Sequence, residues 1–143
     1  RAAGIRPYGG VHPIQRMLYK LRKEEHMVTV HFYTALDESL HLRVRGHAGA
    51  GARGRDLVCA GVSTLCRGLG RAVEHLASAG LLAAPPRIVL REGEAEIDAL
   101  PLPAHRDTAA LVFWTAQVGL NELARSFPRN VTLEGVIHLG ASA

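Results

Sequence analysis

From Met27 onward, apolar and polar residues alternate in two short runs. Val28, Val30 and Phe32 interleave with Thr29, His31 and Tyr33, and Leu40, Leu42 and Val44 interleave with His41, Arg43 and Arg45. A period of two marks a strand with one buried face. The Asp37-Glu38-Ser39 turn between the runs makes them a hairpin. After a small-residue loop over residues 46–55, the period becomes helical. Val58, Val62, Leu65, Leu69, Val73 and Leu76 form one stripe of a helix expected over residues 57–79. Asp56 is its natural N-cap, and Gly80 with Pro85-Pro86 ends it. Residues 88–90 and 95–100 flank Glu92-Gly93 as a second hairpin, a second helix is expected over 107–127, before Pro128, and 131–139 reads as a last strand.

The order β-β-α-β-β-α-β predicts an α+β domain of two layers, with two helices packed on a mostly antiparallel or mixed sheet. The second helix is apolar over most of its circumference, at Leu111, Val112, Phe113, Trp114, Val118, Leu120 and Leu123. One sheet face in a small domain does not bury all of that, which points to a homodimer.

Residues 1–26 read differently. Pro7, Gly9, Gly10 and Pro13 break the first half, and Ile14, Met17, Leu18 and Leu21 then recur at helical spacing among basic residues. Such a helix suits a membrane surface or an acidic partner; a solvated extension, or sequence added to the natural chain, is the simpler reading. Met27, directly before the first strand, is the expected natural start, so residues 27–143 are taken as the domain. The net charge of +4 has the same origin. Residues 1–26 carry six basic residues against two acidic ones, and the other 117 carry eleven of each. A nucleic-acid-binding domain needs its own basic stripe, and direct nucleic-acid binding by this domain is not expected.

At 143 residues, 48% hydrophobic and 21% charged, the chain has the composition of one ordinary globular domain. No apolar run approaches the roughly 20 residues of a membrane span, and a cytoplasmic protein without membrane association is expected. The cysteines, Cys59 and Cys66, lie about 10 Å apart along one helix at ~1.5 Å per residue, beyond the ~7 Å Cα separation a disulfide tolerates. Reduced thiols fit the same compartment.

Candidate chemistry concentrates in residues 46–63, GHAGAGARGRDLVCAGVS. Gly49, Gly51 and Gly54 satisfy G-x-G-x-x-G between a strand and a helix, the setting of a phosphate loop. Against a nucleotide site, Asp56 puts a negative charge where phosphate would lie, and the next segment is a hairpin rather than the parallel strand of a βαβ unit. His47, Asp56 and Cys59 are ligand types for zinc with an open position, but no H-x-x-x-H or C-x-x-C pair accompanies them. The third reading is nucleophilic catalysis. Capped by Asp56, the helix holds Cys59 in its first turn, where backbone N–H groups and the dipole favour the thiolate. His47, twelve residues earlier, can return to it across the loop as a base. Backbone N–H groups near Cys59 and Ala60 can hold an oxyanion, Ser63 can bond near the thiol, and Asp56 can orient His47. On spacing alone, an inert buried cysteine with a surface histidine keeps a slight advantage.

The string G-H-A-G, a short loop, then G-x-D-[IL]-V-C-A-x-V-S resembles the signature of the ribosomal-processing cysteine proteases. It covers residues 46–63, and the β-β-α-β-β-α order over 27–127 is similar too. The resemblance implies that His47 and Cys59 are the catalytic pair of an endopeptidase. It also implies a substrate, the precursor of the twenty-seventh large-subunit ribosomal protein, which loses an N-terminal extension, and a homodimeric enzyme. No metal or organic cofactor is needed for that chemistry. The loop with Gly49, Gly51 and Gly54 is then expected to act as a lid over bound peptide. The competing class is a non-catalytic ribosome-associated or peptide-binding protein.

Overall fold

In the computed structural model, which describes residues 13–18, 27–47 and 57–140, a mixed sheet is covered on one face by two long helices. Residues 13–18 are helical (α1). Strands β1 (Val28–Thr34) and β2 (Leu40–Arg45) form the first hairpin, followed by α2 (Leu57–Ser78). Strands β3 (Arg87–Arg91) and β4 (Glu94–Ala99) form the second, and a single turn at Pro103–His105 leads into α3 (Arg106–Ser126) and β5 (Val131–Gly135). The sheet order is β3-β4-β2-β1-β5, antiparallel throughout except for β1 with β5. This is the expected two-layer α+β arrangement, with the sheet mixed.

The alternation in the strands is what holds the helices down. Val28, Val30 and Phe32 on β1, Leu40, Leu42 and Val44 on β2, and Ala95, Ile97 and Ala99 on β4 all point into one core. α2 presents Val58, Val62, Cys66, Leu69, Val73 and Leu76 to it, and α3 presents Ala109, Phe113 and Leu120. Leu65 departs from the expected stripe. It lies half-buried over Gly119 of α3, where an added Cβ would come within 2.7 Å of Leu65 Cδ2. Cys66 takes the sheet-facing place instead. Gly61 makes a milder version of the same contact, where an added Cβ would come within 3.2 Å of Leu123 Cδ1.

The last strand is shorter than expected. It ends at Gly135 because Ile137 leaves the ladder for a side chain: Gln117 of α3, itself buried, accepts the Ile137 N–H at 2.6 Å and donates to the Ile137 carbonyl at 3.0 Å. One primary amide thus satisfies both backbone groups of a buried residue, as a neighbouring strand would.

The other sheet face carries charges. Arg43 donates to both Asp98 oxygens, at 2.7 and 3.2 Å; Arg45 reaches Glu94 and Glu96; Arg87 pairs with Glu96. The charges on this face therefore pair across neighbouring strands. Burial pushes the Asp98 carboxyl up, but the hydrogen bonds from Arg43 and His41 outweigh it and hold the group below the usual carboxylate range. A carboxyl so lowered contributes stability above its ordinary unfolded value and loses it as pH falls through the folded one. We expect the urea midpoint to fall between pH 6 and pH 3, and to fall less in Asp98→Asn. An equal fall in the variant would remove Asp98 from the acid response.

Candidate active site

Cys59 is the third residue of α2, half-buried against the core, with Val58 buried before it and Ala60 exposed after it. The sheet-facing row runs through Val58 and Val62, so Cys59 stands beside that row rather than in it. A helix's first turn directs its N–H groups toward the helix start and carries the positive end of the dipole, a setting that favours an anion.

Contacts fix where that turn lies. Gly61 faces Leu123 on α3; the Phe127 N–H donates to the Leu123 carbonyl at 2.8 Å, and the Val131 N–H to the Phe127 carbonyl at 3.0 Å. Val131 stands opposite Val28, and the next residue, Thr29, stands opposite Arg45. The start of α2 therefore shares one end of the domain with the end of β2. There the Gly46 N–H donates to the Gly93 carbonyl at 2.9 Å, carrying the β2–β4 ladder one residue past the Arg45–Glu94 pair. Gly46 has φ +104°, and a Cβ on it would fall 2.2 Å from the Met27 carbonyl oxygen. Only glycine fits between those two backbones. His47 follows, exposed, with its imidazole over the β3–β4 turn.

Asp56, Gly49, Gly51 and Gly54 lie outside the described residues, and with them the expected helix cap, phosphate motif and lid. Ser63 is exposed one turn beyond Cys59 and Cys66 is buried two turns beyond it, so this side of α2 runs from the surface at Ser63 to the core at Cys66. Burial pushes the Cys66 thiol up to about 12, which leaves it protonated and inert as a nucleophile. Ala60 opens onto a groove of about 540 Å³ between the helices, floored by Gly61, Gly119, Leu65 and Leu123. Among the described residues, no three His, Cys, Asp or Glu side chains gather around a possible metal position. The strand after α2 lies at the sheet edge, antiparallel to β4, and is no part of a βαβ unit.

One arrangement had no signal in the sequence, where the histidines look scattered. Ser39 Oγ lies 2.6 Å from His41 Nε2, and His41 Nδ1 lies 2.5 Å from Asp98 Oδ1, the order of a serine protease triad. His41 also stacks on Tyr33 at 4.4 Å, and His31 meets Tyr33 edge-on. The hydroxyl, however, has one proton, and Asp37 Oδ1 sits 2.5 Å from it. That hydrogen bond is the main reason the Asp37 carboxyl lies below its usual range. With its proton engaged by a carboxylate and its side chain buried, Ser39 is a bridge between the β1–β2 turn and β4, not a nucleophile.

The fold and the cysteine at the helix start define a class, the small α+β cysteine peptidases. Residues 27–132 match the family described as cysteine protease Prp, and the chain belongs to that family. Several solved structures are similar, three of them as follows. The ribosomal processing protease Prp of S. aureus with a covalently linked product peptide is 26% identical, over 77% of this chain and 100% of that one, with a TM-score of 0.60. SMU.848 of Streptococcus mutans is 28% identical over 78% and 96%, at 0.56. The S. aureus protease with a substrate peptide is 24% identical over 77% and 100%, at 0.54, and bears on the fold alone. No curated protein matches the chain.

The contrast between the two cysteines is directly measurable. Native protein treated with iodoacetamide at neutral pH should take up one equivalent, on Cys59, and a second on Cys66 only after unfolding. Peptide mapping that found Cys66 modified first would contradict its burial.

Proposed function

We propose that this protein is a cysteine endopeptidase acting through Cys59 and His47, and that it removes the N-terminal extension of the precursor of the twenty-seventh large-subunit ribosomal protein. The observation that supports it is the joint position of a half-buried cysteine in the first turn of α2 and a histidine delivered to the same end of the sheet by Gly46. The S. aureus protein similar to this chain is itself a ribosomal processing protease that holds a covalently linked product peptide.

In this mechanism His47 takes the thiol proton and the Cys59 sulfur attacks the scissile carbonyl carbon. The developing oxyanion lies toward the backbone N–H groups at the helix start, near Cys59 and Ala60. As the C–N bond breaks, His47 returns the proton to the leaving amine and an acyl-enzyme remains. Water, losing a proton to His47, attacks the thioester, and the thiol is regenerated with the carboxylic acid product. The substrate is then a peptide segment of a ribosomal precursor, met in the cytoplasm. Among the described residues, no helix is long and apolar enough to cross a membrane. Residues 1–26 are read as an appendage to the domain that begins at Met27.

The chemistry is tested on the purified precursor from the same genome. Cys59→Ala should abolish its cleavage while leaving the fold intact, and His47→Ala should lower the rate by about 10²–10⁴-fold, the range for a lost general base. Turnover retained by Cys59→Ala would end the reading, and an uncleaved precursor with cleavage of another peptide would reassign the substrate.

The homodimer is supported by the outer side of α3, where Leu111 is 52% and Val118 41% exposed. Two apolar side chains about two turns apart on one helical face suit a second copy of the same surface. Replacing both with Glu should convert a dimer to a monomer in sedimentation velocity. A wild-type monomer at tens of micromolar would refute the assembly.

A further inference from the structure

The geometry points to Gly93 as a positioning residue for His47, a seat in the β3–β4 turn that sets where the imidazole lies; the inference rests on His47 being the base. Gly93 is distant from His47 in sequence but carries its ring. An ideal Cβ on Gly93 would stand 2.6 Å from His47 Nε2 and 3.0 Å from Cε1, closer than side-chain carbons approach such atoms. The bare Cα is thus the floor on which the ring rests. The same turn holds the histidine's backbone, through the Gly46 N–H to the Gly93 carbonyl at 2.9 Å. One residue therefore fixes both ends of the route from β2 to the imidazole, its carbonyl holding the main chain and its missing side chain leaving room for the ring.

Magnitudes decide what a side chain here would do. Ordinary contact between such atoms lies at about 3.5 Å, so the ring must give way by about 1 Å. His47 is exposed, and an exposed ring can turn aside at little cost to the fold. The damage should therefore appear in orientation, and a displacement of about 1 Å in a catalytic group can cost about 10²-fold in rate.

The structure supplies its own control. Gly93 has φ +73° and Gly80, at the end of α2, has φ +75°, so alanine at either position meets the same backbone strain. Around Gly80 no atom lies within 4 Å of the built Cβ. Gly80→Ala carries the strain alone; Gly93→Ala carries the strain and the collision with His47.

The experiment compares wild type, Gly80→Ala, Gly93→Ala and His47→Ala for precursor cleavage, melting temperature and the NMR signals of the His47 ring. We expect the two glycine variants to lose similar thermal stability. Only Gly93→Ala should lose kcat, by about 10²-fold with KM little changed, and only it should shift the His47 ring signals. Gly93→Asn, which tolerates the positive φ better but still brings a Cβ, should repeat the result and stands in if Gly93→Ala fails to fold. If His47→Ala is inactive while the folded Gly93 variants match Gly80→Ala in kcat and ring signals, the seat is overturned and the function stands. Full activity in His47→Ala would overturn the function and the inference together.

Discussion

A side-chain carbon at position 46 would lie 2.2 Å from the Met27 carbonyl oxygen. That close approach of two backbones governs the end of the domain where the chemistry is proposed. With no Cβ, Gly46 takes a positive φ, turns β2 past the start of β1, and still donates to the Gly93 carbonyl. The chain leaves the sheet in a fixed direction, with His47 as the first residue after the constraint. Any larger residue there would have to push β1 and β2 apart, and both are rows of the same core. The site is thus tied to the best-packed part of the protein by one missing methyl group.

Much of this was legible in the chain because the sheet has one wet face. Where apolar residues face helices and charged residues face water, a period of two survives intact, as in Val28 to Tyr33 and Leu40 to Arg45. The histidine and cysteine stood out as a candidate pair only through the motif around them. What the chain hid depends on partners far away in sequence. Leu65 turned to α3 because position 119 is glycine, and β5 ended early because Gln117 took its place beside Ile137. His41 and Asp98, 57 residues apart, meet only once β2 and β4 are neighbours. No local period encodes such contacts, since each is decided by the register of two elements.

The two faces of the sheet also divide the labour. The apolar face binds the helices and so sets where α2 begins and how Cys59 is held. The polar face ties β2, β3 and β4 together through shared carboxylates, Asp98 receiving both Arg43 and His41. These same strands carry the turn beneath His47. Ionic contacts on an open surface are individually weak, but here they converge on two carboxylates and brace the strands from the side the helices do not reach.

The Gln117 clasp on Ile137 has a mechanical side. β5 has a single neighbour, β1, and an edge strand held on one side can be peeled rung by rung. The chain beyond it is gripped by two hydrogen bonds from the buried face of α3, at a point with its own hydrophobic anchor. A pull on the C-terminal end therefore meets the amide latch before it meets the ladder. The tension passes into the helix layer, and the parallel strand pair is spared until the latch has opened.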